Sequence, residues 1–199
     1  MKYRMGGVPT LTKAVERTRI LRDTVGPDID LIVDINESWT VDRVISVGRE
    51  LEQYGLFWIE DPVRHDDYKG LRRCTEALQT PICAGEAFHE TSQFRSLLDN
   101  RGADIVMIDL DVGGITPWLK TAHLVESYGL KVASHLATEV SSHLVAAVPN
   151  GLTVEYNPWA EPIFKGVPQM KDGTLVLSER PGLGLELDRD ALQRFKLDM

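Results

Sequence analysis

The strict alternation of short apolar runs with amphipathic segments restricts the fold of this chain more than any other feature of its sequence. The apolar runs are DLIVDIN (30–36), LFWIEDP (56–62), PICAGE (81–86), ADIVMIDLD (103–111), KVASHL (131–136) and LTVEYN (152–157). The segments between them have helical periodicity, as in TVDRVISVGRELEQYG, where Thr40 is a candidate N-cap, Gly48 lies on the apolar face and Gly55 marks the end. Strands that alternate with helices predict right-handed βαβ units and a parallel sheet.

A polar residue stands at the end of each predicted strand. These residues are Asp34, Glu60, Glu86, Asp109, His135 and Glu155, and they are separated by 26, 26, 23, 26 and 20 residues. Because one βα unit is about that long, each residue occupies the same place in its own unit, the carboxyl end of a parallel strand. In a (β/α)8 barrel these ends converge on one active-site mouth, whereas in an open doubly wound sheet they spread along an edge.

Within the strands, polar and apolar residues alternate with a period of two. In DLIVDIN, Asp34 and Asn36 share one face and the apolar residues take the other; in LTVEYN, Glu155 lies on the polar face. At the start, KYRM places Lys2 and Arg4 on one face of what reads as the end of an earlier strand. We expect the polar faces to line a barrel axis and the apolar faces to meet the helices.

Three of the strand-end residues, Asp34, Glu60 and Glu86, are carboxylates from consecutive units. Together they form an all-oxygen site, which suits Mg²⁺ first and Mn²⁺ second, whereas zinc prefers His or Cys. Asp61 should point away from the axis. We expect Asp61 and Asn36 to support the metal ligands from behind.

Composition excludes several kinds of partner. The formal net charge of -8 argues against nucleic acid and against an anionic membrane. No apolar run approaches the roughly 20 residues that span a bilayer, and MKYRMGGVPT lacks the apolar core of a signal peptide. Two cysteines, Cys74 and Cys83, are expected to be buried free thiols, which fits a reducing cytoplasm.

An ordered set of short motifs resembles the enolase superfamily, specifically its mandelate racemase subgroup. The matching stretches are KYR, VDIN, WIEDP, AGE, SSHL after SHLATEV, and VEY, and the set covers nearly the whole chain. The resemblance implies an α/β fold, a (β/α)7β TIM-like barrel that is incomplete at the N-terminus, with the first strand and the capping domain absent from this chain. Residues 1–157 would form the partial catalytic barrel. Residues 158–199, including KDGTLVLSERPGLGLELD, would form a return segment that packs on a capping domain.

Matched by position, the resemblance assigns each strand-end residue a role. It implies that Asp34, Glu60 and Glu86 are metal ligands, His135 the catalytic base, Asp109 its hydrogen-bond partner, Glu155 a contact to the substrate carboxylate, and Lys2 and Arg4 the second-strand pair. Two departures stand out. The family usually has Lys where this chain has Arg4, and arginine is a poor base because it stays charged. The run DLDVGG also looks one residue short, so Asp109 and Asp111, expected on one strand face, both remain candidate partners of His135, with Asp109 favoured.

The chemistry that the resemblance implies is magnesium-dependent removal of a proton next to a carboxylate, which leaves an enediolate to be stabilised. Dehydration of a sugar acid by a hydro-lyase is the favoured outcome. Racemisation or epimerisation of a 2-hydroxy acid is the first alternative, and cycloisomerisation is a weaker one. A hypothesis of a different kind is that the chain is a non-catalytic fragment. We expect a small-molecule carboxylate as ligand, a homo-oligomer because of the open barrel edge, and little activity from this chain without a capping domain.

Overall fold

The computed structural model describes residues 1–197, so the last two residues of the predicted return segment lie outside the described part. Seven parallel strands form one sheet in the order β1 to β7. Their bounds are β1 Lys2–Arg4, β2 Leu31–Asp34, β3 Leu56–Glu60, β4 Ile82–Ala84, β5 Ile105–Ile108, β6 Lys131–Ser134 and β7 Gly151–Val154. Neighbours in the sheet are neighbours in sequence, as the predicted βαβ units require.

Six helices connect these strands, and a seventh lies near the C-terminus. Their bounds are α1 Leu11–Val25, α2 Val41–Leu51, α3 Tyr68–Ala77, α4 Thr91–Asp99, α5 Ile115–Ser127, α6 Thr138–Ala147 and α7 Arg189–Arg194. Thr40 is the N-cap of α2, as predicted, and its side chain accepts a hydrogen bond from the Arg43 N–H at 3.4 Å. Within residues 1–197, no helix is both long and apolar enough to cross a bilayer.

Gly48 lies on the buried face of α2, where its lack of a side chain permits close packing. A Cβ atom at this position would lie 2.8 Å from Leu78 Cδ1 and 3.5 Å from Ile59 Cδ1, and the first contact is too short for real atoms. Gly48 is thus on the apolar face of its helix, as predicted, and it lets α2 pack closely against the end of α3 and strand β3.

The hydrophobic core has two parts, one on each face of the sheet. The larger part lies between the sheet and the helices. The smaller part lies inside the curled sheet and consists of Trp58, Cys83, Ile105, Met107 and Ala133. The sheet is thus a curled partial barrel, as predicted.

The two outer strands of the sheet approach one another at their carboxyl ends. Lys2 Nζ, on β1, lies 2.7 Å from an Oε1 of Glu155, the residue that follows β7. No ladder joins β1 to β7 in the described residues, and a cavity of about 580 Å³ opens between them, lined in part by Phe57, Trp58 and Met107.

The segment after β7 makes two small antiparallel ladders and the short helix α7. Strands β8 (Phe164–Lys165) and β11 (Glu186–Leu187) pair with one another, and β9 (Gln169–Lys171) pairs with β10 (Thr174–Val176). Its role as a return segment to a capping domain stays a prediction.

Candidate active site

The carboxyl ends of the strands gather the predicted site residues at one mouth of the curled sheet. Register places Arg4 opposite Asp34 and Asp34 opposite Glu60 in adjacent strands. Both acids are almost inaccessible, with Asp34 at 2% and Glu60 at 0% exposure. Burying carboxylates in this way is costly unless cations or hydrogen-bond donors meet them.

Lys2 supplies the first of these cations. Its Nζ lies 2.5 Å from Glu60 Oε1, 2.7 Å from Glu155 Oε1 and 4.0 Å from Asp34 Oδ2. Burial alone would lower the pKa of Lys2, but the two close carboxylates outweigh it and hold the pKa above its ordinary value. Lys2 therefore stays protonated and brings a positive charge to the mouth.

Glu60 is the most buried acid of the set. Burial raises the pKa of Glu60 to about 7, even though the Lys2 ammonium and a hydrogen bond from the Trp58 indole at 2.9 Å both lower it. Burial thus disfavours the charged form of Glu60, and Lys2 and Trp58 offset only part of that effect on its pKa.

His135 and Asp109 form a close pair directly after the neighbouring strands β6 and β5. His135 Nδ1 lies 2.5 Å from Asp109 Oδ2, and the His135 backbone N–H donates to the Ile108 carbonyl at 3.1 Å. Burial would lower the pKa of His135, but the bond to Asp109 and the charges of Glu86 and Glu155 outweigh it and raise the pKa.

Asp111 does not lie on the strand face that was expected for it. Strand β5 ends at Ile108, and residues Leu110–Val112 form a 3-10 turn with Asp109 as its N-cap. The Asp109 carboxylate accepts the Asp111 backbone N–H at 2.8 Å, which turns the chain away from the strand direction. The expectation of a shared face is wrong, and the Asp111 side chain is exposed while Asp109 contacts His135.

The other imidazole nitrogen of His135 faces the mouth. Its Nε2 lies 3.4 Å from Glu86 Oε2 and 3.8 Å from Glu155 Oε2. Glu155 is tied down by the Leu136 backbone N–H, which donates to Oε2 at 3.0 Å. Leu136 and Ala137 both have positive φ, 45° and 43°, so the chain after His135 is strained. Strain of this kind in non-glycine residues is concentrated at functional sites.

A cavity of about 410 Å³ lies over these groups. Its lining includes Arg4, Asp34, Glu86, His135, Glu155 and Trp159. The Arg4 side chain is 76% exposed, with its Nε 3.6 Å from Asp34 Oδ2, so this guanidinium reaches into the cavity from β1. The cavity holds acids, cations and one imidazole, which suits a small polar anion better than an apolar ligand.

Asn36 and Asp61 lie beside the predicted metal ligands. Asn36 Nδ2 donates to Glu86 Oε1 at 3.4 Å. Asp61 is 3% exposed and its Oδ1 accepts the Gly85 N–H at 3.4 Å, so it lies between the loops after β3 and β4. Burial, followed by repulsion from Glu86 and Glu60, raises the pKa of Asp61 well above its ordinary value.

The donor set fits a hard divalent cation. Asp34 Oδ1 is buried and has no hydrogen-bond partner, and the three predicted ligands offer carboxylate oxygens only. Within residues 1–197, however, no three His, Cys, Asp or Glu side chains converge as a metal site would require. The Lys2 ammonium lies among Asp34, Glu60 and Glu155 instead, so the magnesium site at Asp34, Glu60 and Glu86 stays a prediction.

Two tryptophans near the site were missed by the sequence reasoning. Trp159 is 79% exposed and lines the cavity from the segment after β7, where no periodic pattern marks it. Trp58 lies two residues before Glu60 on β3, and this spacing was a usable signal, because it places both side chains on one face.

Comparison with known proteins decides the family. The family model described as "Enolase C-terminal domain-like" matches residues 1–191. The chain belongs to this family. The predicted resemblance to the enolase superfamily is thereby confirmed.

Acid-sugar dehydratases are among the curated relatives, and so is a 3,6-anhydro-alpha-L-galactonate cycloisomerase of Streptomyces coelicolor, 32% identical over 192 residues. L-talarate/galactarate dehydratase of Salmonella typhimurium is 36% identical over 186 residues, which are 93% of this chain and 47% of that protein. D-xylonate dehydratase of Haloferax volcanii is 32% identical over 195 residues, again 93% of this chain and 47% of that protein. The chain therefore spans about half the length of the curated relatives it matches.

Solved structures of relatives share the fold and hold magnesium. An L-talarate dehydratase from Polaromonas sp. JS666, complexed with Mg and L-glucarate, matches with a TM-score of 0.93 at 35% identity, over 97% of this chain and 54% of that chain. A racemase from Streptomyces coelicolor A3(2) with bound magnesium matches with a TM-score of 0.91 at 30% identity, also over 97% and 54%. Both dehydratases and a racemase are thus among the similar proteins.

Proposed function

We propose that this chain forms the proton-abstracting part of a magnesium-dependent acid-sugar dehydratase. The observation that carries the proposal is the His135–Asp109 pair, whose free imidazole nitrogen faces Glu86 and Glu155 across a polar cavity. A base, an orienting acid and acidic metal-ligand candidates at one barrel mouth suit removal of a proton next to a carboxylate. The similarity to talarate/galactarate and xylonate dehydratases supports the same class.

His135 acts as the base in this proposal. With Nδ1–H donating to Asp109, the imidazole presents its unprotonated Nε2 to the cavity, and that atom takes the α-proton. The electron pair of the broken C–H bond forms the carbon–carbon double bond. The β C–O bond breaks, and the hydroxyl leaves as water with the proton that His135 returns.

Positive charge must lie where the substrate becomes more negative. Lys2 is a fixed ammonium at the mouth, and Arg4 extends its guanidinium into the cavity. Asp34, Glu60 and Glu86 would hold Mg²⁺, and bound Mg²⁺ supplies further positive charge beside the substrate carboxylate. Glu155, held by Lys2 and by the Leu136 N–H, would contact that carboxylate through a shared donor, because these contacts outweigh burial, lower the pKa of Glu155 and keep it ionised.

Dehydration is favoured over racemisation by the residues on β1. A racemase requires a base on each face of the reacting carbon. Arg4 stays protonated and is a poor base, and Lys2 is engaged by two carboxylates. His135 is then the base, and a single base that also returns its proton suits elimination of water. Racemisation is the second candidate, because the racemase from Streptomyces coelicolor has a similar structure.

The other expectations about ligands and location are proposals too. A small sugar acid fits the polar cavity, and a homo-oligomer fits the unpaired outer edges of β1 and β7. Cys74 and Cys83 are both free and buried, which supports a reducing cytoplasm.

The test is exchange of the substrate α-proton in deuterated water, followed by NMR with Mg²⁺ and a panel of sugar acids. His135→Asn should abolish exchange, because the asparagine amide accepts no proton at neutral pH. His123→Asn is the matched control, since His123 is exposed on α5, and it should exchange at the unaltered rate. If His135→Asn exchanges normally while Lys2→Ala abolishes exchange, the base lies on β1 and the proposal is wrong.

A further inference from the structure

Trp58 lies inside the curled sheet, directly beneath Glu60. The two residues are one strand period apart on β3, so their side chains leave the same face of the sheet. The Trp58 indole Nε1–H donates to Glu60 Oε2 at 2.9 Å. Both residues are inaccessible, with Trp58 at 2% and Glu60 at 0% exposure. Bulk water therefore does not compete for this hydrogen bond.

The indole is held in place by its packing. Trp58 belongs to the interior cluster with Cys83, Ile105 and Met107, and the neighbouring Phe57 ring lies with its centroid 4.9 Å away. A side chain packed on several sides keeps one rotamer. The direction of the indole N–H is therefore fixed by the core of the protein, and it points at one oxygen of Glu60.

The two oxygens of Glu60 consequently have different surroundings. Oε2 faces the Trp58 indole. Oε1 faces Lys2 Nζ at 2.5 Å, and that same Nζ lies 4.0 Å from Asp34 Oδ2. Oε1 is thus the oxygen on the side of the other carboxylates. An indole N–H only donates and carries no charge, so it orients Glu60 without neutralising it.

We propose that Trp58 is a positioning residue for the divalent cation: its N–H anchors Glu60 Oε2 and leaves Oε1, the oxygen that the Lys2 ammonium contacts, as the one that the ion would take in place of that ammonium. The inference rests on the proposed role of Glu60 as a metal ligand. A hydrogen-bonding partner of a metal ligand typically contributes 10- to 100-fold to metal affinity. Without the indole, the Glu60 carboxylate rotates more freely and must be ordered when the ion binds.

The experiment is a calorimetric titration of the chain with Mg²⁺. Trp58→Phe keeps an aromatic ring but removes the N–H, and we expect it to weaken Mg²⁺ binding by about tenfold or more. The matched control is Trp118→Phe, because Trp118 is also fully buried and its indole donates to the Ile108 backbone carbonyl at 3.1 Å. Both variants lose a buried indole hydrogen bond, yet Trp118→Phe should bind Mg²⁺ as the unaltered chain does. Equal affinities in the two variants would overturn the inference.

A second measurement does not depend on a Trp58 variant that folds. The chain has four tryptophans, and their indole N–H resonances can be assigned by substituting the other three one at a time. Saturating Mg²⁺ should shift the Trp58 resonance and leave that of Trp118 in place. A Trp58 resonance that does not move would refute the positioning role.

Glu60→Gln separates this inference from the proposed function. If Glu60→Gln binds Mg²⁺ as the unaltered chain does, Glu60 is not a ligand, and the proposed metal site is wrong together with the role of Trp58. If Glu60→Gln loses binding and Trp58→Phe keeps it, only the positioning role is wrong. Loss of binding in both, with Trp118→Phe unaffected, supports both.

Discussion

Replacing Lys2 by methionine should destabilise the chain strongly without Mg²⁺ and much less with it. Lys2 is the cation among Asp34, Glu60 and Glu155, and Glu60 is fully buried. Methionine has a similar length and no charge, so the substitution leaves the carboxylates without their counter-charge. The effect should therefore depend on whether another cation is available.

The structure sets the expected size of the loss. Removing one partner of a buried ion pair costs about 3–5 kcal/mol, and the Lys2 side chain is 24% exposed, which places the expected loss near the lower end, at about 3 kcal/mol. For a chain of this size that loss lowers the melting temperature by roughly 6–12 °C. Mg²⁺ binds the folded state only, and it should restore part of this stability because it brings positive charge to the same carboxylates.

The assay is urea unfolding of both proteins with EDTA and with millimolar Mg²⁺. Lys131→Met is the matched control, since Lys131 also begins a strand, is exposed, and makes no ion pair among the described residues. It should change the free energy of unfolding by less than about 0.5 kcal/mol in either condition. An equal loss for Lys2→Met with and without Mg²⁺ would refute the idea that the ion and the ammonium serve the same carboxylates.

Three further outcomes are expected. Asp109→Asn should slow α-proton exchange less than His135→Asn does, because the imidazole remains but loses the acid that fixes its tautomer. Equal exchange rates of the two variants in deuterated water would contradict this expectation. Arg4→Ala should weaken binding of the sugar acid, measured by calorimetry, more than it slows α-proton exchange, since Arg4 supplies charge and not a base. Loss of exchange even at a saturating concentration of the sugar acid would instead indicate that Arg4 takes part in proton transfer. Turnover of a sugar acid by the 199-residue chain should be far below that of a version with a capping domain, because the uncapped cavity admits water; comparable turnover would exclude a need for the cap.

The positions of the strand ends could be predicted because a βα unit has a characteristic length. Asp34, Glu60 and Glu86 recur at intervals of 26 residues, and the parallel sheet then places them at one mouth. The cap at Thr40 and the packing contact at Gly48 could be predicted for a similar reason, since each depends on a local pattern. The sequence period thus predicted the fold class and the end of the sheet at which the candidate site residues lie.

Asp111 shows where such reasoning fails. Extending the strand alternation past Ile108 placed Asp111 beside Asp109, but the Asp111 backbone N–H donates a hydrogen bond to Asp109 Oδ1, and the strand ends at that point. Residues such as Asp favour local turns of this kind over continued extension. One side chain decides whether the chain continues as a strand or turns. The alternation of polar and apolar residues contains no information about that hydrogen bond.

The pairing of charges was the other feature that sequence could not supply. Sequence assigned Lys2 only to the second-strand pair, and the structure places its ammonium 2.5 Å from Glu60 Oε1 and 2.7 Å from Glu155 Oε1. Lys2 and Glu155 meet across the space between β1 and β7, and the width of that space depends on the curl of the whole sheet. Contacts across the two outer strands are therefore a property of the assembled fold.

The central claim is that Asp34, Glu60 and Glu86 bind one divalent cation beside His135. The most direct measurement is anomalous diffraction from crystals of the chain grown with Mn²⁺ in place of Mg²⁺. The claim predicts one strong peak with an oxygen of each carboxylate at roughly 2.1–2.2 Å, as hard cations of this size require, and with the Lys2 ammonium moved away from Glu60. No peak at the mouth, or carboxylates that still contact Lys2 and point away from one another, would contradict it.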